Sequence, residues 1–136
     1  MDVIREVLKT TRTWAVVGLS ADPTRDSFRI ASLLKDRGYR VVPVNPHLTS
    51  WRGEPAYAGL TSIPFPVDVV DLFRRSSEVP PHVGEAIAIG AKVVWMQLGV
   101  RHEAAAARAR AAGLTVIEDR CPAIEFRRLA AEDQKR

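Results

Sequence analysis

The sequence predicts an α/β fold, a doubly wound parallel sheet of five strands flanked by helices in one domain. Three observations carry this. Apolar runs and helical patterns alternate from end to end, as strands and crossover helices do. The stretch 67–73 has apolar residues on both faces, as a central parallel strand needs. And the first apolar run breaks at Gly18 into a short polar loop followed by an amphipathic helix, which is how a phosphate-binding strand-loop-helix reads. A length of 136 residues fits one such domain.

A leading helix spans about Val3 to Thr10, with Val3, Val7 and Leu8 as its apolar face. The first strand runs from about Thr13 to Gly18. Ser27 to Arg37 follows as a helix in which Phe28, Ile30, Ala31, Leu33 and Leu34 form the apolar stripe, with Gly38 at its C-terminal cap. Arg40 to Val44 is the second strand, stopped by Asn45-Pro46. A polar loop with Gly53, Pro55 and Gly59 reaches Pro66, and Val67 to Phe73 is the third strand. Val79-Pro80-Pro81 opens a helix to about Ile89, capped by Gly90, because proline is tolerated in a first turn. Lys92 to Leu98 is the fourth strand, Glu103 to Ala112 an alanine-rich helix ending at Gly113, and Leu114 to Ile117 the fifth strand. Pro122 starts a last helix through about Ala131, leaving 132–136 as an expected frayed tail.

Composition excludes several classes. Hydrophobic residues at 46% and charged residues at 26% are those of an ordinary globular protein. The segment Met1 to Lys9 is charged and helical in pattern, with no signal-peptide core, and no apolar run approaches spanning length, so a cytoplasmic location without membrane partners is expected. Cys121 is the lone cysteine, which rules out an internal disulfide. The net charge of +4 comes from positives dispersed among acids. That is not the basic stripe with interleaved aromatics of a nucleic-acid binder, but it suits a small polyanion.

The loop Gly18-Leu19-Ser20 through Arg25 has the parts of an anion site. Its glycine lets backbone approach closely, Ser20 can donate a hydroxyl hydrogen bond, Arg25 can pair with phosphate oxygens, and the next helix presents free N–H groups. It lacks the second and third glycines of the dinucleotide fingerprint. The acid expected about 20 residues on, to hold an adenosine ribose, is also missing. That place reads Val44-Asn45-Pro46, and no acid comes before Glu54. The third strand ends in Phe73-Arg74-Arg75 and the fourth in Trp95-Met96-Gln97-Leu98-Gly99, both at the carboxyl edge where ligands bind; Gln97 and the backbone near Gly99 are placed to line that edge.

Catalytic patterns are weaker. His47, His82 and His102 fall in separate loops or helix starts, without metal-ligand spacing. Asp68 and Asp71 are three apart on a strand, point to opposite faces and cannot pair as acid and base. Cys121 precedes a helix whose dipole favours a thiolate, but Asp119 opposes this and no histidine is near in sequence.

The turn Val17-Gly18-Leu19-Ser20 with Arg25, the segments Tyr39 to Pro46, Asp71 to Ser76 and Trp95 to Gly99, and Asp119-Arg120-Cys121 resemble the stand-alone CoA-binding proteins. These are Rossmann-like domains related to the CoA-binding domain of the succinyl-CoA synthetase alpha subunit, and the likeness runs in order through nearly the whole chain. It implies that Gly18, Leu19, Ser20 and Arg25 meet a CoA pyrophosphate, that Val44, Asn45 and Pro46 lie by the adenosine, and that Phe73 and Arg74 flank the ligand. The absent ribose acid agrees, since a carboxylate beside the 3′-phosphate of CoA would be repelled.

The synthetases carry a phosphorylated histidine in a further domain to which nothing here corresponds, so ligase chemistry does not transfer. The expectation is a strand order of 3-2-1-4-5 and binding of CoA or an acyl-CoA around strands one and two. The role expected is that of a non-catalytic carrier, sensor or accessory module, without catalytic residues or metal. The alternatives are an NAD(P)-binding enzyme or redox sensor with an atypical glycine loop, and an accessory subunit of an acyl-CoA synthetase with a partner of ATP-grasp type.

Overall fold

A computed structural model describes residues 2–135. Five parallel strands form the main sheet: β1 (Thr13–Val17), β2 (Arg40–Val44), β5 (Val69–Leu72), β6 (Val93–Met96) and β7 (Thr115–Ile117). A two-residue antiparallel hairpin, β3 (Ser50–Trp51) and β4 (Glu54–Pro55), lies in the long connection after β2. The helices are α1 (Val3–Thr10), α2 (Asp26–Asp36), α3 (Val79–Ala88), α4 (Glu103–Ala111) and α5 (Pro122–Gln134). This is the doubly wound, Rossmann-like α/β domain expected from the sequence.

Strand alternation divides the core in two. Trp14 and Val16 of β1 pack with Val7 and Leu8 of α1, Ala31 and Leu34 of α2 and Leu129 of α5. Ala15 and Val17 face the other way, onto Val79, Val83 and Ala86 of α3 and Ala105, Ala106 and Ala109 of α4. The alanines of α4 let that helix approach the sheet closely. Two of the three buried indoles satisfy their N–H groups, Trp14 Nε1 donating to Thr11 Oγ1 (3.0 Å) and Trp95 Nε1 to the Arg120 carbonyl (2.9 Å), while Trp51 Nε1 has no partner among the described residues.

The strand order differs from the expectation. The sheet runs β2-β1-β5-β6-β7, so the third long strand lies beside the first, not the second, giving 2-1-3-4-5 in place of 3-2-1-4-5. The physical reason is that the outer edge of β2 is already occupied. Tyr57 donates its N–H to the Pro43 carbonyl (3.0 Å), and the Tyr57 carbonyl accepts from Asn45 N (2.9 Å). Pro43 has no N–H, and in a parallel ladder its missing donor would point the same way as its carbonyl, outward; such a proline belongs on an edge strand.

The last helix runs to Gln134 rather than ending near Ala131, so Glu132 to Gln134 are helical and not a frayed end. Arg5 of α1 pairs with Glu132 (3.2 Å) and Asp133 (2.9 Å), and Arg128 pairs with Asp2 (2.8 Å) and Glu132 (3.0 Å). These contacts hold the two ends of the chain together. Met1, and Arg136 at the end of the expected tail, lie outside the described residues. Among the described residues no helix is long and apolar enough to cross a membrane.

Candidate functional site

The site is built where β1 and β5 part. Gly18 N donates to the Val44 carbonyl (2.9 Å) on one side, while Phe73 N donates to the Val17 carbonyl (3.0 Å) on the other. Beyond them the chain leaves β1 toward β2 and leaves β5 toward β6, in opposite directions, which opens a crevice at the carboxyl edge. Gly18 has φ +86°, and a Cβ there would sit 2.5 Å from the Phe73 carbonyl oxygen. The two walls approach so closely that only glycine fits.

The loop after Gly18 is held by its own polar groups. Ser20 N donates to Ser27 Oγ and Asp22 N donates to Ser20 Oγ (both 3.0 Å), so the Ser20 hydroxyl keeps its own proton to donate elsewhere. Asp22 Oδ1 accepts from Thr24 N (2.9 Å) and from its hydroxyl (2.7 Å), which holds the Asp22 carboxyl below the usual range. Arg25 then precedes α2 and Cys121 precedes α5, and among the described residues neither supplies a side-chain cap to its helix. Both helix starts border the crevice and leave first-turn N–H groups to solvent or a ligand.

The crevice has a volume of about 980 Å³, at the top of the range usual for small-molecule sites, roughly 300–1,000 Å³. Arg25, Arg29, Arg74, Arg75 and Arg127 line it with two acids, Asp26 and Glu78. Arg29 pairs with Asp26 and Arg74 with Glu78 (3.5 Å), which leaves Arg25, Arg75 and Arg127 without an ion pair among the described residues. Gln97, Leu98, Cys121 and Ile124 also line it. The arrangement can neutralise several negative charges beside two exposed apolar side chains, Leu98 and Ile124.

Of the residues singled out from the sequence, Gly18, Ser20, Arg25, Phe73 and Arg74 come together on this crevice. Leu19, Val44, Asn45 and Pro46 do not line it. The Leu19 and Val44 side chains are buried in the two halves of the core. Asn45 Nδ2 donates to the Leu19 carbonyl (2.9 Å) and its Oδ1 accepts from His47 N (2.8 Å), so Asn45 ties the glycine loop to the end of β2; Pro46 is exposed beside it.

Arg29, Arg127 and Ile124 were missed, because a position on a helix surface does not reveal which neighbour it faces. Cys121 arrives at the wall because Asp119, at φ +57°, accepts a hydrogen bond from Gly99 N (2.6 Å) and joins the loops after β6 and β7. That bond, with Arg101 nearby, holds the Asp119 carboxyl below its usual range. His102 is a helix cap, its Nδ1 accepting from Ala105 N (3.1 Å). Among the described residues no group of His, Cys, Asp and Glu could hold a metal ion.

The family model of the CoA binding domain matches residues 12–127, from the start of β1 into α5. The chain belongs to that family. This CoA-binding domain is 38% identical to the uncharacterized protein YneT of Bacillus subtilis over 118 residues, 87% of each chain. It superposes on a hypothetical protein from Pyrococcus horikoshii with TM-score 0.91 and 37% identity, covering 95% of this chain and 91% of that one. The dinucleotide-forming acetyl-coenzyme A synthetase 1 of Ca. Korarchaeum cryptofilum is also similar, with TM-score 0.69 and 25% identity. There the match covers 76% of this CoA-binding domain but 25% of the synthetase chain.

Beneath the crevice floor the CoA-binding domain buries an acid. Asp71 of β5 is fully enclosed, and burial pushes its carboxyl up to about 8. Gln97 Nε2 donates to Asp71 Oδ1, while Oδ2 has no partner. In the sequence Asp71 stands as a lone acid inside the apolar run 69–72. Asp68 lies at the opposite end of the strand, accepting from Arg12 N (2.9 Å) and Thr13 N (3.0 Å).

Proposed function

We propose that the protein binds coenzyme A, free or acylated, in the crevice between β1 and β5 as a non-catalytic carrier, sensor or accessory module. The observation that carries this is three arginines without ion pairs among the described residues, lining a crevice whose two walls meet at a glycine, in a chain of the CoA-binding family. CoA brings a pyrophosphate and a 3′-phosphate, and such charges reward arginine forks and open helix N-termini. Arg25, Ser20 and the Gly18 turn take the pyrophosphate, with Phe73 and Arg74 flanking it. The adenosine extends past Leu19 toward Val44, Asn45 and Pro46, which adjoin the glycine loop through the Asn45–Leu19 hydrogen bond.

A binding role is supported by the cations and uncapped helix starts that the crevice presents, and by the pairing of each of its acids to an arginine. Isothermal titration with CoA tests the reading. Arg25→Ala is expected to weaken binding about tenfold, the scale of one charge-assisted hydrogen bond, with the melting temperature of the free protein unchanged because Arg25 is exposed. No heat of binding at millimolar CoA, or an unaltered affinity in the variant, overturns it. Stronger thermal stabilisation by NAD(P) than by CoA would move the assignment to a dinucleotide.

The likeness to part of the Korarchaeum synthetase supports a second reading, an accessory subunit that presents CoA to a partner of ATP-grasp type. Pulldown with such enzymes from the source cell is the test. Recovery of none removes that reading and leaves the carrier or sensor role.

A further inference from the structure

The polar pair at the crevice floor suits something other than a phosphate. Asp71 of β5 stands opposite Trp95 of β6 in the parallel register, and Gln97 follows Trp95 by two residues, so both side chains rise on the same face of the sheet. Gln97 is 5% exposed and lines the crevice. Its donor end is committed to Asp71 Oδ1. A carboxamide has one acceptor oxygen, and no hydrogen bond from the described residues reaches Gln97 Oε1.

A bare carbonyl oxygen repels phosphate oxygens and accepts from N–H or O–H groups. Burial keeps the Asp71 carboxyl neutral near pH 7, so no negative charge stands under an anionic ligand. Leu98 at 62% and Ile124 at 41% are two of the three exposed large hydrophobics among the described residues; both line the crevice, and Leu98 follows Gln97 directly in the chain. This part of the crevice is therefore shaped for a chain that alternates amide groups with methylenes.

We propose that Gln97 Oε1 is the specificity contact for the pantetheine arm, accepting from one of its amide N–H groups, and that Asp71 is the positioning residue that fixes the polarity of the Gln97 carboxamide. The assignment rests on the CoA reading above and adds the ligand's direction: phosphates at the Arg25 and Arg75 end, arm over Gln97, and the thiol or its acyl group toward Leu98 and Ile124.

Titration calorimetry with two ligands separates the possibilities: CoA, and 3′-phosphoadenosine 5′-diphosphate, which keeps all three phosphates and lacks the arm. Gln97→Leu is expected to weaken CoA about tenfold, the scale of one lost hydrogen bond, and to leave the truncated nucleotide within twofold of wild type. Asp71→Asn keeps an acceptor for Gln97 Nε2 and should retain the CoA affinity, whereas Asp71→Leu should lose it as Gln97→Leu does. If Asp71→Leu does not fold, Gln97→Leu and Asp71→Asn still decide the matter. Equal losses for both ligands in Gln97→Leu, or none for either, overturn the proposal while the CoA reading stands. Wild-type protein that binds neither ligand overturns both.

Discussion

A single methyl group at Gly18 would drive the two walls of the crevice apart. Its Cβ would meet the Phe73 carbonyl at 2.5 Å, and its φ of +86° is one that L side chains rarely adopt. Gly18→Ala is therefore expected to cost at least about 2 kcal/mol of stability in urea unfolding, beyond the ~1–2 kcal/mol of left-handed backbone alone. An unchanged midpoint would contradict the geometry. Asp71 makes a prediction with a sign. Its carboxyl is raised to about 8 in the fold, against an ordinary unfolded value of roughly 4. Between these values the native state holds a proton that the unfolded chain has released, so Asp71 lowers stability as pH rises from about 4 to about 8, and not beyond. Asp71→Asn should flatten that part of the pH profile; an unaltered slope would show that Asp71 ionises normally. Gly18, Ser20, Phe73 and Arg74 are legible in the sequence because each lies within three residues of a strand end, and Arg25 because it stands at the start of the next helix. Gln97 is legible on the same ground, one residue past β6, but its pairing with Asp71, and the place of Arg127, depend on which strands and helices become neighbours, which local pattern does not specify.

At the level of elements, strand and helix positions were legible within one to three residues, because each long element has a clean apolar period and a Gly or Pro boundary. The strand order was not, although one residue carried the signal. Pro43 in the middle of β2 cannot donate outward, and that alone argues against placing a strand on its far side. The extension of α5 was equally hidden, since its cause is α1, more than a hundred residues away in the chain. Arg128 bridges Asp2, Glu125 and Glu132, and its hydrogen bond holds the Asp2 carboxyl down to about 2. Arg128→Ala should lower stability by about 1 kcal/mol, a modest figure because the group is about a third exposed. Amide exchange in α1 should quicken with it, and no change in α1 would mean that the two helices hold together without these ions. The Asp2 contribution runs opposite to that of Asp71: it is present above about pH 4 and fades as pH falls toward 2.

For the whole molecule, the charge pattern matters more than the total. The net charge is +4 overall, yet three arginines without an ion pair among the described residues, Arg25, Arg75 and Arg127, line one crevice at the edge of the sheet. Ligand linkage follows: CoA at a hundred times its dissociation constant should stabilise the fold by about 2.7 kcal/mol, and the gain should shrink with added salt. A thermal-shift series in CoA and salt checks this, and a salt-independent shift would point away from the arginines.

The hook of Tyr57 over Pro43 has a bearing on how this protein behaves in a crowded solution. An open sheet presents two rims, each a potential template for another chain. Here one rim lacks a donor at Pro43 and is capped by the protein's own loop, while the other is β7, three residues long. Neither offers a full ladder to a neighbour, so concentrated protein is guarded against strand-to-strand polymerisation by its own backbone.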